Sequence, residues 1–179
     1  MSENIVILTG SPRKNGNSEK LAAAFAEGAR AAGKDVSLFR TADMKIGGCH
    51  GCEYCLKNNG VCVQKDDMPV ILEALKKADA LVLVSPVYFF DMSAQLKLAI
   101  DRTFALLEVG VPVRKAALLM TCGDNSKEVA DGAVAAYKNI CAYLKWEDAG
   151  LIIATGVNSP GEIDGRAELD QAKALGAEI

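Results

Sequence analysis

The sequence predicts a three-layer, doubly wound α/β domain with helices on both faces of a parallel sheet. Three observations predict it. Short apolar runs and amphipathic segments alternate five times along the 179 residues. The apolar runs are continuous, as in strands covered on both faces, rather than alternating with polar residues. A polar loop follows the first run and leads into a helix, at the strand end where open parallel sheets bind ligands.

Ile5–Thr9, closed by Gly10, reads as the first strand. Pro12 and Gly16 keep Ser11–Ser18 irregular. The first helix carries Leu21, Ala24, Phe25, Ala29 and Ala32 at a 3.6-residue period, and Gly33 stops it. Val36–Phe39 is the second strand, and a long cysteine-bearing connection follows. Asp66 or Asp67 caps the next helix, with Pro69 in its first turn and Ile71, Ala74, Leu75 and Ala78 facing inward. Ala80–Val84 is the third strand and Ser93–Leu107 a helix. Lys115–Thr121 is the fourth strand, and the helix after it turns Val129, Ala133, Ala136, Tyr137, Ile140, Cys141 and Leu144 to one face. Gly150–Ala154 is the fifth strand, and the last helix starts near Gly165. A five-stranded doubly wound sheet of this size most often has the flavodoxin-like order 2-1-3-4-5. The reading is one domain, residues 1–179, with a cysteine-bearing insertion at about 44–66.

Half of the residues are hydrophobic, about a quarter are charged, and the net charge is −3. No basic stripe invites nucleic acid. No apolar stretch approaches a membrane span, and Ile5–Leu8 is too short for a signal peptide. The expected location is cytoplasmic, where thiols stay reduced and clustered cysteines mean metal or redox chemistry more often than disulfides.

The loop Gly10–Ser18, GSPRKNGNS, ends at a helix N-terminus, where free N–H groups and the helix dipole favour phosphate. Ser11, Asn15, Asn17 and Ser18 can add donors, and Arg13 charge. The spacing matches neither G-x-x-x-x-G-K-[ST] nor G-x-G-x-x-G. Many neutral donors with little charge suit a terminal monophosphate such as that of FMN; the plainer reading is an ordinary βα loop. After the third strand, Ser85–Met92 (SPVYFFDM) offers apolar and aromatic residues suited to a flat ring. After the fourth, Thr121–Ser126 (TCGDNS) offers backbone N–H groups beside Gly123. Each loop alone reads as local packing; three on one edge read as a flavin site.

GSPRKNGNS, SPVYFFDMSAQLKLAIDR and CHGCEYCLKNNGVCVQKDDM resemble the NADPH-dependent FMN reductase branch of the flavodoxin superfamily, and within it the iron–sulfur flavoproteins. The resemblance runs from about residue 4 to 125. It implies non-covalently bound FMN, NAD(P)H as co-substrate and a homodimer or dimer of dimers. By position, Ser11, Arg13, Asn15, Asn17 and Ser18 would hold the phosphate. Pro86, Val87, Tyr88 and Phe89 would line the ring, with Cys122, Gly123 and Asp124 on its other side.

Cys49, Cys52, Cys55 and Cys62 form a C-x2-C-x2-C-x6-C pattern. Three thiols at this spacing with a fourth just beyond are a usual frame for an iron–sulfur cluster, and the compact last gap resembles that of the iron–sulfur flavoproteins and their [4Fe–4S] site. Zinc usually takes two separated knuckles, and free thiols that oxidise in air are a third reading. Gly47, Gly48, Gly51 and Gly60 give the segment freedom to wrap an ion cluster. The segment leaves the second strand, so it starts at the flavin edge, and a relay between cluster and FMN, within the chain or across a subunit interface, is geometrically reasonable.

Other features take plainer readings. His50 is a polar loop residue, Cys141 a small core residue and Trp146 packing at a helix end. Cys122 is a core residue or a flavin neighbour. Asp66 and Asp67 belong to a helix N-terminus rather than a metal site. Asp101–Arg102 reads as a solvated or interface ion pair of small value. Apolar residues at 96, 98, 99, 100 and 104–107 exceed what one stripe on a sheet needs, so a subunit interface is expected. The function expected is an FMN-dependent oxidoreductase with a quinone, flavin or similar small acceptor, and with a ferredoxin-like donor if a cluster is present. No residue reads as an obligatory acid or base. The alternatives are a flavodoxin-type electron carrier, for which −3 is a weak charge, and a cysteine-based redox or metal-sensing module.

Overall fold

The computed structural model describes residues 3–179. In chain order its elements are β1 (Asn4–Thr9), α1 (Asn17–Ala31), β2 (Asp35–Arg40), α2 (Met68–Leu75), β3 (Ala80–Tyr88), β4 (Asp91–Met92), α3 (Ala94–Arg102), β5 (Lys115–Thr121), α4 (Asp131–Leu144), β6 (Glu147–Ala154) and α5 (Ala167–Glu178). The parallel sheet has the order β2-β1-β3-β5-β6, and β4 pairs antiparallel with the end of β3. With that two-residue strand set aside, this is the expected 2-1-3-4-5 order.

Successive strand residues point to opposite faces, and both faces are buried. Ile5, Ile7, Val82, Val84, Ala117 and Leu119 meet Leu21, Phe25 and Ala29 of α1 and Ala172 of α5. Val6, Leu8, Leu81, Leu83, Leu118 and Met120 meet Ile71 and Leu75 of α2, Leu96 and Ala99 of α3, and Tyr137 and Cys141 of α4. Helices α1 and α5 lie unusually close. A Cβ on Gly28 would stand 1.9 Å from the Lys173 carbonyl oxygen, and one on Gly176 2.1 Å from that of Phe25. The buried Tyr137 hydroxyl lies 2.8 Å from both the Ala116 carbonyl and Asp148 Oδ1. Burial first, then the bond to Asp148, pushes its pKa far up.

Three elements differ from expectation. The SPVYFFDM stretch is not a free loop: β3 runs on to Tyr88 and turns back through a hairpin, with Val87 opposite Met92 and Tyr88 opposite Asp91. The helix from Ser93 ends as an α-helix at Arg102. Thr103 Oγ1 donates back to the Ile100 carbonyl at 2.7 Å, and a 3₁₀ turn, Thr103–Leu106, follows. The surplus apolar surface after Ser93 is in part covered by the cysteine segment itself: Gly48 lies against Leu98 of α3, and Gly60 against Ala105, Leu106 and Val109 beyond the helix end.

Candidate functional site

Four strand ends build the site. Loops after β1, β3, β5 and β6 enclose a cleft of about 80 Å³ at the carboxyl edge of the sheet. Ser93 at the start of α3 pins two of these loops, its Oγ donating to the Gly10 carbonyl at 2.8 Å and its N–H to Ser85 Oγ at 2.9 Å. Ser11, Arg13, Asn17 and Ser18 line the cleft from the first loop. Gly16 caps α1 without a side chain, so the first-turn N–H groups receive no side-chain cap from it. Ser18 Oγ lies 2.6 Å from Thr121 Oγ1, which places two hydroxyls beside that helix end. Arg13 Nη1 donates to the Asn158 carbonyl at 2.5 Å, holding its charge over the loop. The Asn17 amide is engaged internally: it donates to the Ser159 carbonyl at 2.9 Å and accepts from the N–H groups of Gly161 and Ile163. Its role is to fix the fourth loop.

Pro86, Val87 and Tyr88 form one wall, Cys122 and Gly123 the other, and Val157 adds apolar surface. Cys122 is buried, with its thiol pushed up first by desolvation and then by Asp124. Protonated, it is a wall residue rather than a nucleophile. Asn15, Phe89 and Asp124 do not line the cleft. Asn15 is exposed and its N–H is held by the Glu19 carboxylate. Asp124 accepts from the Ser126 N–H at 2.8 Å and orders its own turn. Phe89 and Phe90 occupy the hairpin tip with φ of 50° and 67°, the first fully exposed. Thr121, read only as the start of the TCGDNS loop, and Val157 and Asn158, not read from the sequence at all, also line the cleft. The signal for the last two was present: TGVNSPG follows the fifth strand at the same carboxyl edge. A separate cavity of about 620 Å³ lies at the opposite, amino edge among Leu75, Phe104, Val113, Tyr143 and Trp146.

The cysteine segment is a loop with a closed base. Lys45 and Asp67 exchange bonds, Lys45 N–H to Asp67 Oδ2 at 2.7 Å and Asp67 N–H to the Lys45 carbonyl at 3.0 Å. Cys55 is buried, Cys62 half-buried, and Cys49 and Cys52 are exposed. Desolvation, followed by the neighbouring Cys62 and Cys49, pushes the Cys55 thiol up. Among the described residues no three His, Cys, Asp or Glu side chains stand together as a metal site. The segment runs along α3 away from the flavin edge, with Leu56 reaching the amino-edge cavity. Arg102 overturns the expectation of a solvated pair with Asp101. Asp101 pairs with Lys97, whereas Arg102 is buried and bound to Asp66, with Nη1–Oδ2 2.6 Å and Nη2–Oδ1 3.1 Å. Burial opposes ionisation of Asp66, but Arg102 and the N–H groups of Gly47 and Met68 outweigh it and hold its carboxyl below the usual range.

The model of the family "NADPH-dependent FMN reductase" matches residues 4–151. The chain belongs to the NADPH-dependent FMN reductase family. An iron–sulfur flavoprotein of Archaeoglobus fulgidus is 40% identical over 95 residues, 53% of this chain and 43% of that protein. One of Methanocaldococcus jannaschii is 36% identical over 110 residues, 62% and 56% of the two chains. The chain spans about half the length of the curated relatives it matches. Two solved structures share the fold. An NAD(P)H:quinone oxidoreductase from Methanothermobacter marburgensis has a TM-score of 0.76 at 21% identity, over 99% of this chain and 96% of that one. An FMN-dependent NADH-azoreductase from Bacillus anthracis, in complex with FMN, has 0.75 at 17%, over 98% and 99%.

For a member of the FMN reductase family the implied group is FMN, and the edge fits it. An uncapped helix N-terminus, three hydroxyls and Arg13 suit a phosphate, and the Pro86–Tyr88 and Cys122–Gly123 walls suit a planar ring. The cysteine segment fits an iron–sulfur centre by its donors. It offers four free thiols, and Arg102, bonded to the last of them, Cys62, has a buried Nε–H with no acceptor among the described residues.

Proposed function

We propose that this chain is an FMN-dependent oxidoreductase that takes two electrons from NAD(P)H or a reduced protein donor and passes them to a small acceptor such as a quinone or flavin. The observation that carries it is the convergence of an uncapped helix N-terminus and two apolar walls on one sheet edge. Bound FMN would supply the electron-accepting ring. Ser11, Ser18 and Arg13 would hold the phosphate, and the first-turn N–H groups would meet its charge. Pro86, Val87 and Tyr88 would set the plane of the ring, and the protonated Cys122 would give it a neutral, dry wall. No side chain lining the cleft is needed as an acid or base. The test is anaerobic NAD(P)H oxidation by FMN-loaded protein with a quinone. Catalytic turnover is expected; FMN binding with no turnover by any pyridine nucleotide would leave a flavodoxin-type carrier.

The same chain would hold an iron–sulfur centre on Cys49, Cys52, Cys55 and Cys62. The four free thiols and the Arg102 Nε, which has no acceptor among the described residues, favour this second reading. Protein prepared without oxygen is expected to contain about four iron atoms per chain, lost in Cys52→Ser while FMN stays bound. Within one chain the centre would be remote from the flavin: Ser93 at the flavin edge and Arg102 beside Cys62 are nine residues apart on α3, about 14 Å of helix. Self-association would therefore shorten the path between subunits. The exposed Tyr88, Phe89 and Phe90 at the flavin edge supply apolar surface for a second copy. Light scattering at micromolar concentration should give a dimer or larger.

A further inference from the structure

Arg102 is the last residue of α3, and its side chain is 1% exposed. Arginine is almost never this buried unless paired. Its fork grips Asp66 with both terminal nitrogens, but the remaining bonds go to the cysteine segment. Nη1 also donates to the Gly47 carbonyl at 2.9 Å, and Nη2 to Cys62 Sγ at 3.3 Å. One guanidinium thus ties the residues before Cys49, the last cysteine and the residues after it. Nε–H has no acceptor among the described residues. Stability is a poor explanation for such a group, because a buried ion pair gains little over apolar packing.

We propose that Arg102 is a positioning residue for a sulfur-ligated iron centre: it orients Cys62 and raises the centre's reduction potential. This rests on the iron–sulfur reading given above. The physical reason is electrostatic. Reduction adds one electron, hence one unit of negative charge, beside Cys62; no bond forms or breaks, and no proton transfer is required. A cation and an N–H···S bond at the ligand stabilise that added charge and move the potential up. An anionic sulfur centre would also give Nε–H an acceptor of the kind it lacks. Asp66 acts in the opposite sense, since its carboxylate offsets the guanidinium charge at 2.6 Å.

The opposed signs make the test. The FMN-loaded protein is reconstituted anaerobically with iron and sulfide, and the centre is titrated with dithionite while its EPR signal is followed. Iron per chain and the flavin potential are measured alongside. Arg102→Gln should keep iron and lower the centre's potential, and Asp66→Asn should raise it. Arg102→Lys, which keeps the charge but not the fork, should fall between Arg102→Gln and the unaltered protein. The flavin potential should stay within error in all three. Shifts of the same sign in Arg102→Gln and Asp66→Asn, or none with iron retained, would show a purely mechanical clip and overturn the proposal. If Arg102→Gln does not fold, an unmoved potential in Asp66→Asn and Arg102→Lys overturns it equally. Unaltered protein that takes up no iron overturns the iron–sulfur reading itself and this proposal with it, an outcome distinct from iron bound at an insensitive potential.

Discussion

The flavin edge and the cysteine segment are both loop structures, yet they are held in opposite ways. Each loop of the flavin edge grows from a buried strand end and is cross-linked to a neighbour: Ser93 to Gly10 and Ser85, Ser18 to Thr121, Arg13 to Asn158, and the Gly156 N–H to the Asp124 carbonyl. The cysteine segment is closed at its base by Lys45 and Asp67 and gripped from the side by Arg102, while Cys49 and Cys52 remain exposed. The difference follows from what each would bind. A flavin gains from an edge already in place, because ordering costs fall outside the binding step. A metal centre draws its own ligands together, so binding and ordering are one event.

The most disruptive way to break that contrast is to deform the preformed edge. In Gly10→Ala the new Cβ would sit 2.3 Å from Ser93 Oγ and 2.6 Å from Leu96 Cβ. Overpacking of this kind costs ~3 kcal/mol at the upper end. A melting temperature lowered by several degrees and weaker FMN binding are expected; unchanged values for both would mean the edge adapts and is not preformed. Next in size is the phosphate. Riboflavin should bind roughly 100-fold more weakly than FMN, the value of one or two charge-assisted hydrogen bonds. Equal affinity in a titration would remove the helix N-terminus from the site.

Sequence legibility followed the same divide. The sheet order and the place of the polar loop at the carboxyl edge were readable because continuous apolar runs and a polar loop before a helix are local signals. The role of Asn17 was not, since its partners Ser159, Gly161 and Ile163 lie more than 140 residues away. Arg102 was misread for a related reason: Asp101 is its neighbour in sequence, but a helix turns adjacent residues apart. The partner is Asp66, brought in by the fold. The surplus apolar surface after Ser93 was visible, but its cover was not, because an irregular segment such as 44–66 carries no period to show where it packs.

Asp66 gives a smaller, pH-dependent test of the side grip. Its folded carboxyl titrates below the usual range, since Arg102 and two backbone N–H groups outweigh its burial. The stability it contributes is therefore present above the ordinary aspartate value of about 4 and is lost as pH falls through the folded value. Asp66→Asn, which leaves buried Arg102 donors without their charged acceptor, should be less stable than the parent by about 1–3 kcal/mol at pH 7, with the gap closing as pH falls below the ordinary aspartate value. Denaturant unfolding across that range checks it. A constant gap would mean that the segment is held by shape rather than by charge.

The smallest effect expected has the opposite sign. Phe89 and Phe90 form a two-residue hairpin tip with φ of 50° and 67°, the left-handed region that glycine and asparagine favour in such turns. Holding an ordinary side chain there costs on the order of 1 kcal/mol. Phe89 recovers none of this within the described chain, because its surface is fully exposed. Phe89→Gly should therefore stabilise the isolated chain by about 0.5–1 kcal/mol, after allowing for glycine's looser unfolded state. Urea midpoints measure the gain, and light scattering of the same samples reads the cost, since loss of the ring should weaken self-association. A destabilised variant would place the ring among the packing contacts of the hairpin. A stabilised variant with weaker association would set Phe89 apart from the cross-linked loops beside it, as surface kept against its own backbone for a second copy to cover.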